Sequence, residues 1–146
     1  MLAAFLGSGM LLSLFAAGLH HHFADHGPPP LGTRLLGVAG LGLALLACKT
    51  DPTYLPTPRT LAGALHDAAY VLLGLTLLPG MLLLASTMRR RSAWRALAAP
   101  TVVTVLLAAP AFVFKGVAFY GFLILILAWF IVCAGWLWHH AQRARA

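Results

Sequence analysis

The residues in this sequence best suited to chemistry are a histidine and an aspartate that stand side by side, His66 and Asp67, in the segment GALHDAAY. An imidazole and a carboxylate in one place could hold a proton, a cation or a lipid headgroup. Asp51, in the segment before them, is a third candidate, and a metal-bound water needs at least three protein ligands. Two interpretations stay open. The three side chains form a functional site, or their hydrogen bonds fix neighbouring helices.

The composition shows which kind of element must position these side chains. Of the 146 residues, 61% are hydrophobic and 9% are charged, and the net charge is +7. A soluble domain carries about 25% charged residues, so most of the surface of this protein must face lipid. The basic residues stand in short segments between apolar runs, which is typical of membrane topology and argues against nucleic acid as a partner.

Five apolar runs come close to the length of about 20 residues that a membrane-spanning helix needs. We therefore expect an all-α bundle of five transmembrane helices in a single transmembrane domain over residues 1–146. The helices are predicted at residues 1–19, 31–48, 61–86, 96–114 and 117–138. No basic residue precedes the first run, so we expect it to be a membrane helix and not a cleaved signal peptide.

The lysines and arginines predict how these helices are oriented. With five crossings, seven basic residues lie on one side of the membrane and three on the other. The side with more of them is the cytoplasmic one. This predicts a multi-pass protein of the cell membrane with its N-terminus outside and its C-terminus inside. The seven are Arg34, Arg89, Arg90, Arg91, Arg95, Arg143 and Arg145, and the three are Lys49, Arg59 and Lys115.

The third helix is predicted to have a polar face near the outer surface. Thr57 and Pro58 suit an N-cap and a first helical residue. At about 100° per residue, one face then collects the polar and small residues of the helix. They are Arg59, Thr60, Gly63, His66, Asp67, Tyr70 and Gly74. A carboxylate facing hydrocarbon is costly, so this face should point into the bundle.

His66 and Asp67 stand on different azimuths of this helix, so we do not expect them to pair with each other. Basic residues on the same side of the membrane are candidate partners for Asp67, and Lys115, between the last two helices, is the most attractive of them. The candidate polar site therefore consists of Asp51, Arg59, His66, Asp67, Tyr70 and Lys115.

Two other clusters are weaker candidates. The histidines near the first loop could bind Zn²⁺ or Ni²⁺ through imidazole, although a wet loop without function explains them as well. They are His20, His21, His22 and His26. A basic cluster could hold anionic lipid at the cytoplasmic face, although its role in topology already accounts for it. Its members are Arg89, Arg90, Arg91 and Arg95.

No catalytic signature and no cofactor motif stands in the sequence. We therefore favour an integral membrane protein that is structural or binds a partner or lipid. The alternative is a membrane enzyme, or a lipid-headgroup or metal site, built on His66, Asp67 and Asp51.

The layout resembles a family of bacterial and archaeal membrane proteins known as domain of unknown function 998. The resemblance lies in Asp51-Pro52 in an outward loop, His66-Asp67 opening the next helix, and Trp129 in the last helix. The family usually has six helices, so the resemblance implies that this chain corresponds to the last five. Where the family tends to have a polar or Glu/Gln-Arg pair, this chain has Phe119-Tyr120, and Lys115 is the nearest basic residue. The resemblance implies one outward-facing cluster of Asp51, His66 and Asp67, and no particular activity.

Overall fold

The structure, a computed structural model, describes residues 2–24, 27, 30–51, 58–114 and 116–143. Within these ranges it contains five α-helices, one short 3₁₀ turn and no strand, which confirms the all-α, five-helix fold. The helices are α1 (Leu2–Ala24), α2 (Leu31–Leu45), α3 (Leu61–Arg90), α4 (Arg95–Phe114) and α5 (Val117–Arg143), and the 3₁₀ turn Ser92–Trp94 precedes α4.

Four of these helices are long and apolar enough to cross a membrane, namely α1, α3, α5 and α4 with its preceding turn. The protein is therefore a multi-pass membrane protein. The second helix is shorter, with 15 residues, or about 22 Å at 1.5 Å per residue. Tighter turns extend it, because Ala47 N–H donates to Ala44 O and Cys48 N–H donates to Leu45 O. The helical path thus reaches Cys48, the end of the second apolar run.

Three helices extend past the apolar runs that predict them. α1 continues through the histidines to Ala24, α3 continues to Arg90, and α5 continues to Arg143. Adding one residue to an existing helix costs little, so the hydrogen-bonded ladder runs on into polar residues beyond the hydrocarbon. At the other end of α3, the helix begins at Leu61, three residues after the start expected at Pro58. Thr57 lies outside the described residues.

The chain forms two compact units, Met1–Leu83 and Leu84–Ala146, and the boundary falls inside α3. In the first unit, α1 and α2 are antiparallel neighbours along most of α2. At one end, His20 Nδ1 lies 2.9 Å from the Thr33 hydroxyl oxygen. Nearer the middle, the Ser13 hydroxyl donates a 3.3 Å hydrogen bond to Gly37 O. The second helix therefore runs back beside the first.

Glycine permits the close approach of α1 and α2. A Cβ atom on Gly9 would lie 2.6 Å from Ala44 N, and one on Gly40 would lie 2.7 Å from Gly9 O. Real Cβ atoms do not approach backbone atoms so closely, so a larger side chain at either position forces the two helices apart. Small residues at such positions let helix backbones pack closely inside membranes.

The part of α3 that belongs to the first unit runs antiparallel to α2. A Cβ on Gly42 would lie 3.3 Å from Ala69 O, and a Cβ on Gly80 would lie 3.0 Å from Leu35 Cβ. The end of α2 thus lies beside the first turns of α3, and its start lies beside Gly80. This arrangement brings the segment after α2 to the amino-terminal end of α3, where the candidate polar site is expected.

The second unit is held together by indole hydrogen bonds. Trp129 Nε1–H donates to the Thr101 hydroxyl at 2.9 Å, and Thr101 in turn donates to Leu97 O at 2.7 Å. Trp136 Nε1–H donates to Ala93 O at 2.9 Å. α5 therefore runs antiparallel to α4 and fixes the turn that precedes it.

Candidate functional site

The amino-terminal end of α3 is capped by Thr60 and by the segment before the helix. The Thr60 hydroxyl accepts a 3.1 Å hydrogen bond from Gly63 N–H, and Thr60 O accepts the first helical bond from Ala64 N–H. This is the arrangement of an N-cap threonine. The Asp51 carboxylate then accepts hydrogen bonds from Thr60 N–H at 2.9 Å and from the Thr60 hydroxyl at 2.5 Å. The cap therefore has two layers.

Asp51 lies directly against the first turn of α3. A Cβ atom on residue 63 would overlap the Asp51 carboxylate, so the glycine makes room for it. The hydrogen bonds from the Thr60 hydroxyl and the Thr60 N–H lower the pKa of Asp51 below its ordinary value of 3.8, and the charge of Arg59 acts in the same direction. The carboxylate is therefore ionised in neutral solution.

Asp67 is paired with Arg59. Arg59 Nη2 donates to Asp67 Oδ2 at 3.0 Å, and the two side chains are 77% and 58% exposed respectively. Within the described part of the chain this is the one ion pair, and such an exposed pair contributes about 0–1 kcal/mol. Lys115, the partner favoured from the sequence, lies outside the described residues.

His66 joins α3 to the end of α2. Its Nδ1 lies 3.0 Å from Cys48 O. A carbonyl oxygen only accepts hydrogen bonds, so Nδ1 carries the proton in this contact, and Nε2 is not used by it. His66 and Asp67 therefore hold different partners, as their azimuths predict. Tyr70 follows one turn later on α3 and is half-buried.

These contacts form what we call the polar latch, which consists of Asp51, Arg59, Thr60, His66 and Asp67. It ties the segment between α2 and α3 to the start of α3 through three contacts, which are Asp51–Thr60, Arg59–Asp67 and Cys48 O–His66. Both oxygens of Asp51 and one of Asp67 are used inside the latch. Nowhere in the described ranges do three or more His, Cys, Asp or Glu side chains gather as metal ligands would. The contacts of the polar latch tie the end of α2 and the segment after it to α3.

The histidines of the first loop are placed at the end of α1. His20 donates from Nδ1 to the Thr33 hydroxyl, because that hydroxyl already donates to Pro30 O at 2.8 Å. His21 is exposed and His22 is half-buried. Successive helical residues diverge by about 100°, so these three rings point in different directions. His26 lies outside the described residues.

A second charged region, which we call the basic loop, consists of Arg89, Arg90, Arg91 and Arg95. Arg89 and Arg90 are exposed in the last turn of α3, Arg91 is half-buried, and Arg95 is exposed at the start of α4. The turn between the helices is closed by Arg91 N–H donating to Met88 O at 3.1 Å, and by Trp94 N–H donating to Arg91 O at 3.0 Å. Four arginines thus lie within seven residues, at the end of α3, in the turn and at the start of α4.

Trp94 and Trp136 hold this turn in place. The Trp94 side chain is 2% exposed, and the Trp136 indole is hydrogen-bonded to Ala93 O. Asp67 is the last acidic residue in the sequence. No side-chain carboxylate of the second unit can therefore neutralise the basic loop.

Sequence reasoning missed the roles of two threonines, Thr60 and Thr101, that organise these regions. Thr60 is the actual N-cap, but Thr57-Pro58 gave a stronger local signal. Thr101 accepts from Trp129, and a buried indole N–H usually needs such a partner. The signal for Thr101 was present, because α4 has few other polar side chains that could serve. No signal identifies the Cys48 carbonyl, which is a backbone group.

Comparison with known proteins matches this chain to a protein family. The profile of the family described as "Protein of unknown function (DUF998)" matches residues 1–141. No curated protein and no solved structure matches the chain. The residues that carry the resemblance, Asp51, His66, Asp67 and Trp129, lie within the matched range, and each has a hydrogen-bond partner inside the chain.

Proposed function

This chain belongs to the family described as "Protein of unknown function (DUF998)", and since this description names no role, we propose one from the charges of the chain itself. We propose that it is a multi-pass protein of the cell membrane without enzymatic activity, and that its basic loop binds anionic lipid headgroups at the cytoplasmic face. In this proposal the polar latch stabilises the fold at the outer face.

The observation that carries this proposal is the uneven distribution of charge along the chain. Residues 68–146 contain seven lysines and arginines and no aspartate or glutamate. Three arginines of the basic loop are exposed. Each basic residue near an anionic membrane surface contributes about 1 kcal/mol to the attraction. Anionic phospholipids supply the negative charges that the side chains of the second unit lack.

The charges of α3 support a placement of this helix in the membrane. Asp67 and Arg89 bracket residues 68–88, which are 21 residues without a charge. They span about 31 Å at 1.5 Å per residue, which matches a hydrocarbon core of about 30 Å. In this proposal Asp67 lies at one boundary of the hydrocarbon core and Arg89 at the other, and the exposed Arg59–Asp67 pair lies among wet headgroups.

The antiparallel course of α2 supports an odd number of crossings. The contacts between α2 and α3 run from Cys48 O beside His66 to Gly32 O beside Gly80, and this part of α3 contains most of its uncharged segment. With α2 counted, the protein crosses five times. The excess of arginines then gives an N-terminus outside and a C-terminus inside.

Cysteine accessibility tests this orientation. Thr50 and Ser92 are both exposed and flank α3, so they form a matched pair. Each is replaced by cysteine in a chain whose Cys48 and Cys133 are replaced by alanine. In intact cells, a membrane-impermeant maleimide should label Thr50→Cys and not Ser92→Cys. The reverse pattern would overturn the orientation.

Lipid-dependent stability tests the binding proposal. A ligand that binds only the folded state raises its melting temperature. In a delipidated sample of the full chain, phosphatidylglycerol should raise the Tm and phosphatidylcholine should not. The Arg89→Gln, Arg90→Gln, Arg95→Gln variant should lose the difference, and the single Arg34→Gln control should keep it. Equal responses to both lipids in the wild-type chain would contradict the proposal.

A second candidate function is a site for a lipid headgroup or a metal at the outer face, or an enzyme active site there, built on His66, Asp67 and Asp51. It is favoured by Nε2 of His66, which the contact with Cys48 O does not use, and by the exposed Asp67 carboxylate. Native mass spectrometry of the wild type and of an Asp67→Asn, His66→Ala variant tests it. Loss of a bound lipid or metal from a variant of unchanged stability would support this site. Identical ligands on both proteins would exclude it.

A further inference from the structure

We infer that the lipid bound by the basic loop carries two phosphates in one headgroup, as a diphosphatidylglycerol does. This inference rests on the proposed function and adds the class of lipid. Two observations support it. The first is the position of Arg89, Arg90 and Arg95 on both sides of the turn. The second is that two tryptophans, Trp94 and Trp136, fix that turn.

The arginines of the basic loop leave the turn on both of its sides. Arg89 and Arg90 are neighbours at the end of α3, and Arg95 is the first residue of α4. All three are exposed. Neighbouring residues on a helix diverge by about 100°, so Arg89 and Arg90 project from α3 in different directions, and Arg95 projects from the far side of the turn. We therefore expect one phosphate group to meet only part of this positive charge.

The turn that carries the arginines is held in one conformation. Two backbone hydrogen bonds close it, from Arg91 to Met88 and from Trp94 to Arg91. The buried Trp94 side chain anchors it from within, and the Trp136 indole holds Ala93 O from α5. A pre-organised site loses less conformational freedom when a ligand binds. The backbone that carries the arginines is therefore fixed before the lipid binds, and it does not behave as a flexible tail.

Two linked phosphates match such a pattern better than two separate ones. Guanidinium groups bind phosphate oxygens in a bidentate manner. After the first phosphate of a two-phosphate headgroup is bound, the second is held at high effective concentration beside the remaining arginine. Two molecules of a lipid with one phosphate would each lose their own freedom of motion. No aspartate or glutamate of the second unit competes for these arginines.

Native mass spectrometry of the delipidated full chain tests the inference. Diphosphatidylglycerol and phosphatidylglycerol are added separately at equal phosphate concentration. We expect the wild type to bind diphosphatidylglycerol about fivefold more tightly, the factor that one further basic contact with phosphate provides. The Arg89→Gln, Arg90→Gln, Arg95→Gln variant should show no preference, whereas Arg34→Gln should retain it.

Two further samples keep the inference testable if the triple variant does not fold. Trp136→Phe retains every arginine and loses the indole hydrogen bond to Ala93 O, so it should bind both lipids and show a smaller preference. Inorganic pyrophosphate, which has two phosphates and no acyl chains, should fail to displace diphosphatidylglycerol. Displacement at equal concentration would show that the partner is a soluble diphosphate and would overturn the inference.

The remaining outcomes separate this inference from the proposed function. If both lipids bind the wild type equally at equal phosphate and neither binds the triple variant, the two-phosphate inference fails and anionic-lipid binding stands. If neither lipid binds the wild type, both fail. An unchanged preference in Trp136→Phe would contradict the claim that the turn must be pre-organised.

Discussion

The helices of the two units pack by different means. Of the 14 glycines, 11 lie in residues 1–83, whereas all four tryptophans lie in residues 84–146. In the first unit, Gly9 and Gly40 bring backbones together. In the second, Trp129 fills the space between α4 and α5 and donates to Thr101. Helices in lipid can therefore be joined by close backbone contact or by large side chains with satisfied polar atoms.

The two units also differ in how their charges are neutralised. All three acidic residues lie in the first unit, and the polar latch there pairs Asp67 with Arg59 and Asp51 with Thr60. The second unit has seven basic residues and no acidic side chain. The first unit contains as many acidic as basic side chains (three of each), and the second contains no acidic side chain that could neutralise its arginines and lysine. This contrast separates the structural role of the latch from the binding role proposed for the basic loop.

The largest loss of stability is expected where the backbones of α1 and α2 are in close contact. Gly40→Leu places a side chain against Gly9 O and Ser13 N, so α1 and α2 must separate. We expect a loss of about 3 kcal/mol of unfolding free energy, the upper part of the usual range for overpacking. Equilibrium unfolding in mixed micelles measures it. Gly18→Leu is the matched control, because a Cβ at Gly18 meets nothing within 4 Å. Equal losses in both variants would contradict glycine-mediated packing.

A smaller effect is expected from the buried hydrogen bond of the second unit. Thr101→Val leaves the Trp129 indole N–H without its acceptor, and we expect a loss of about 1–2 kcal/mol. Thr104→Val should lose less, because the Thr104 hydroxyl bonds only with Pro100 O of its own helix. In a Trp129→Phe background the cost of Thr101→Val should shrink. An unchanged cost there would mean that the indole bond does not stabilise the unit.

The smallest effect concerns the polar latch and depends on pH. The pKa of Asp51 is lower in the folded protein than its ordinary value of 3.8. Its contribution to stability is therefore complete above that value and is lost as the pH falls through the lower, folded pKa. Melting curves at acidic pH should show this loss in the wild type. Asp51→Asn and Thr60→Ala should each remove it, and an unaltered pH profile in both would exclude the cap.

Much of the fold was predictable, because a membrane-spanning helix needs about 20 apolar residues and the chain contains five such runs. Helix ends were less predictable. His20 to His22 continue α1, and Arg89 and Arg90 continue α3, because hydropathy marks the hydrocarbon boundary and not the last hydrogen bond.

The sequence predicted which residues form the candidate site better than it predicted which atoms they contact. A helical wheel places Arg59 and Asp67 on one face, although Arg59 in fact lies before the helix and reaches Asp67 through its long side chain. The bond from His66 to Cys48 O depends on the backbone of another helix. Side-chain spacing carries no information about such a carbonyl, so this contact needed the structure.

The most direct test of the difference between the units is to map where anionic lipid touches the chain. The protein is placed in nanodiscs that contain phosphatidylglycerol with a photoactivatable headgroup, and labelled peptides are located after illumination. The account predicts that label concentrates in residues 89–95, and that the Arg89→Gln, Arg90→Gln, Arg95→Gln variant loses it. Label spread evenly, or concentrated on the polar latch at residues 51–67, would contradict the account.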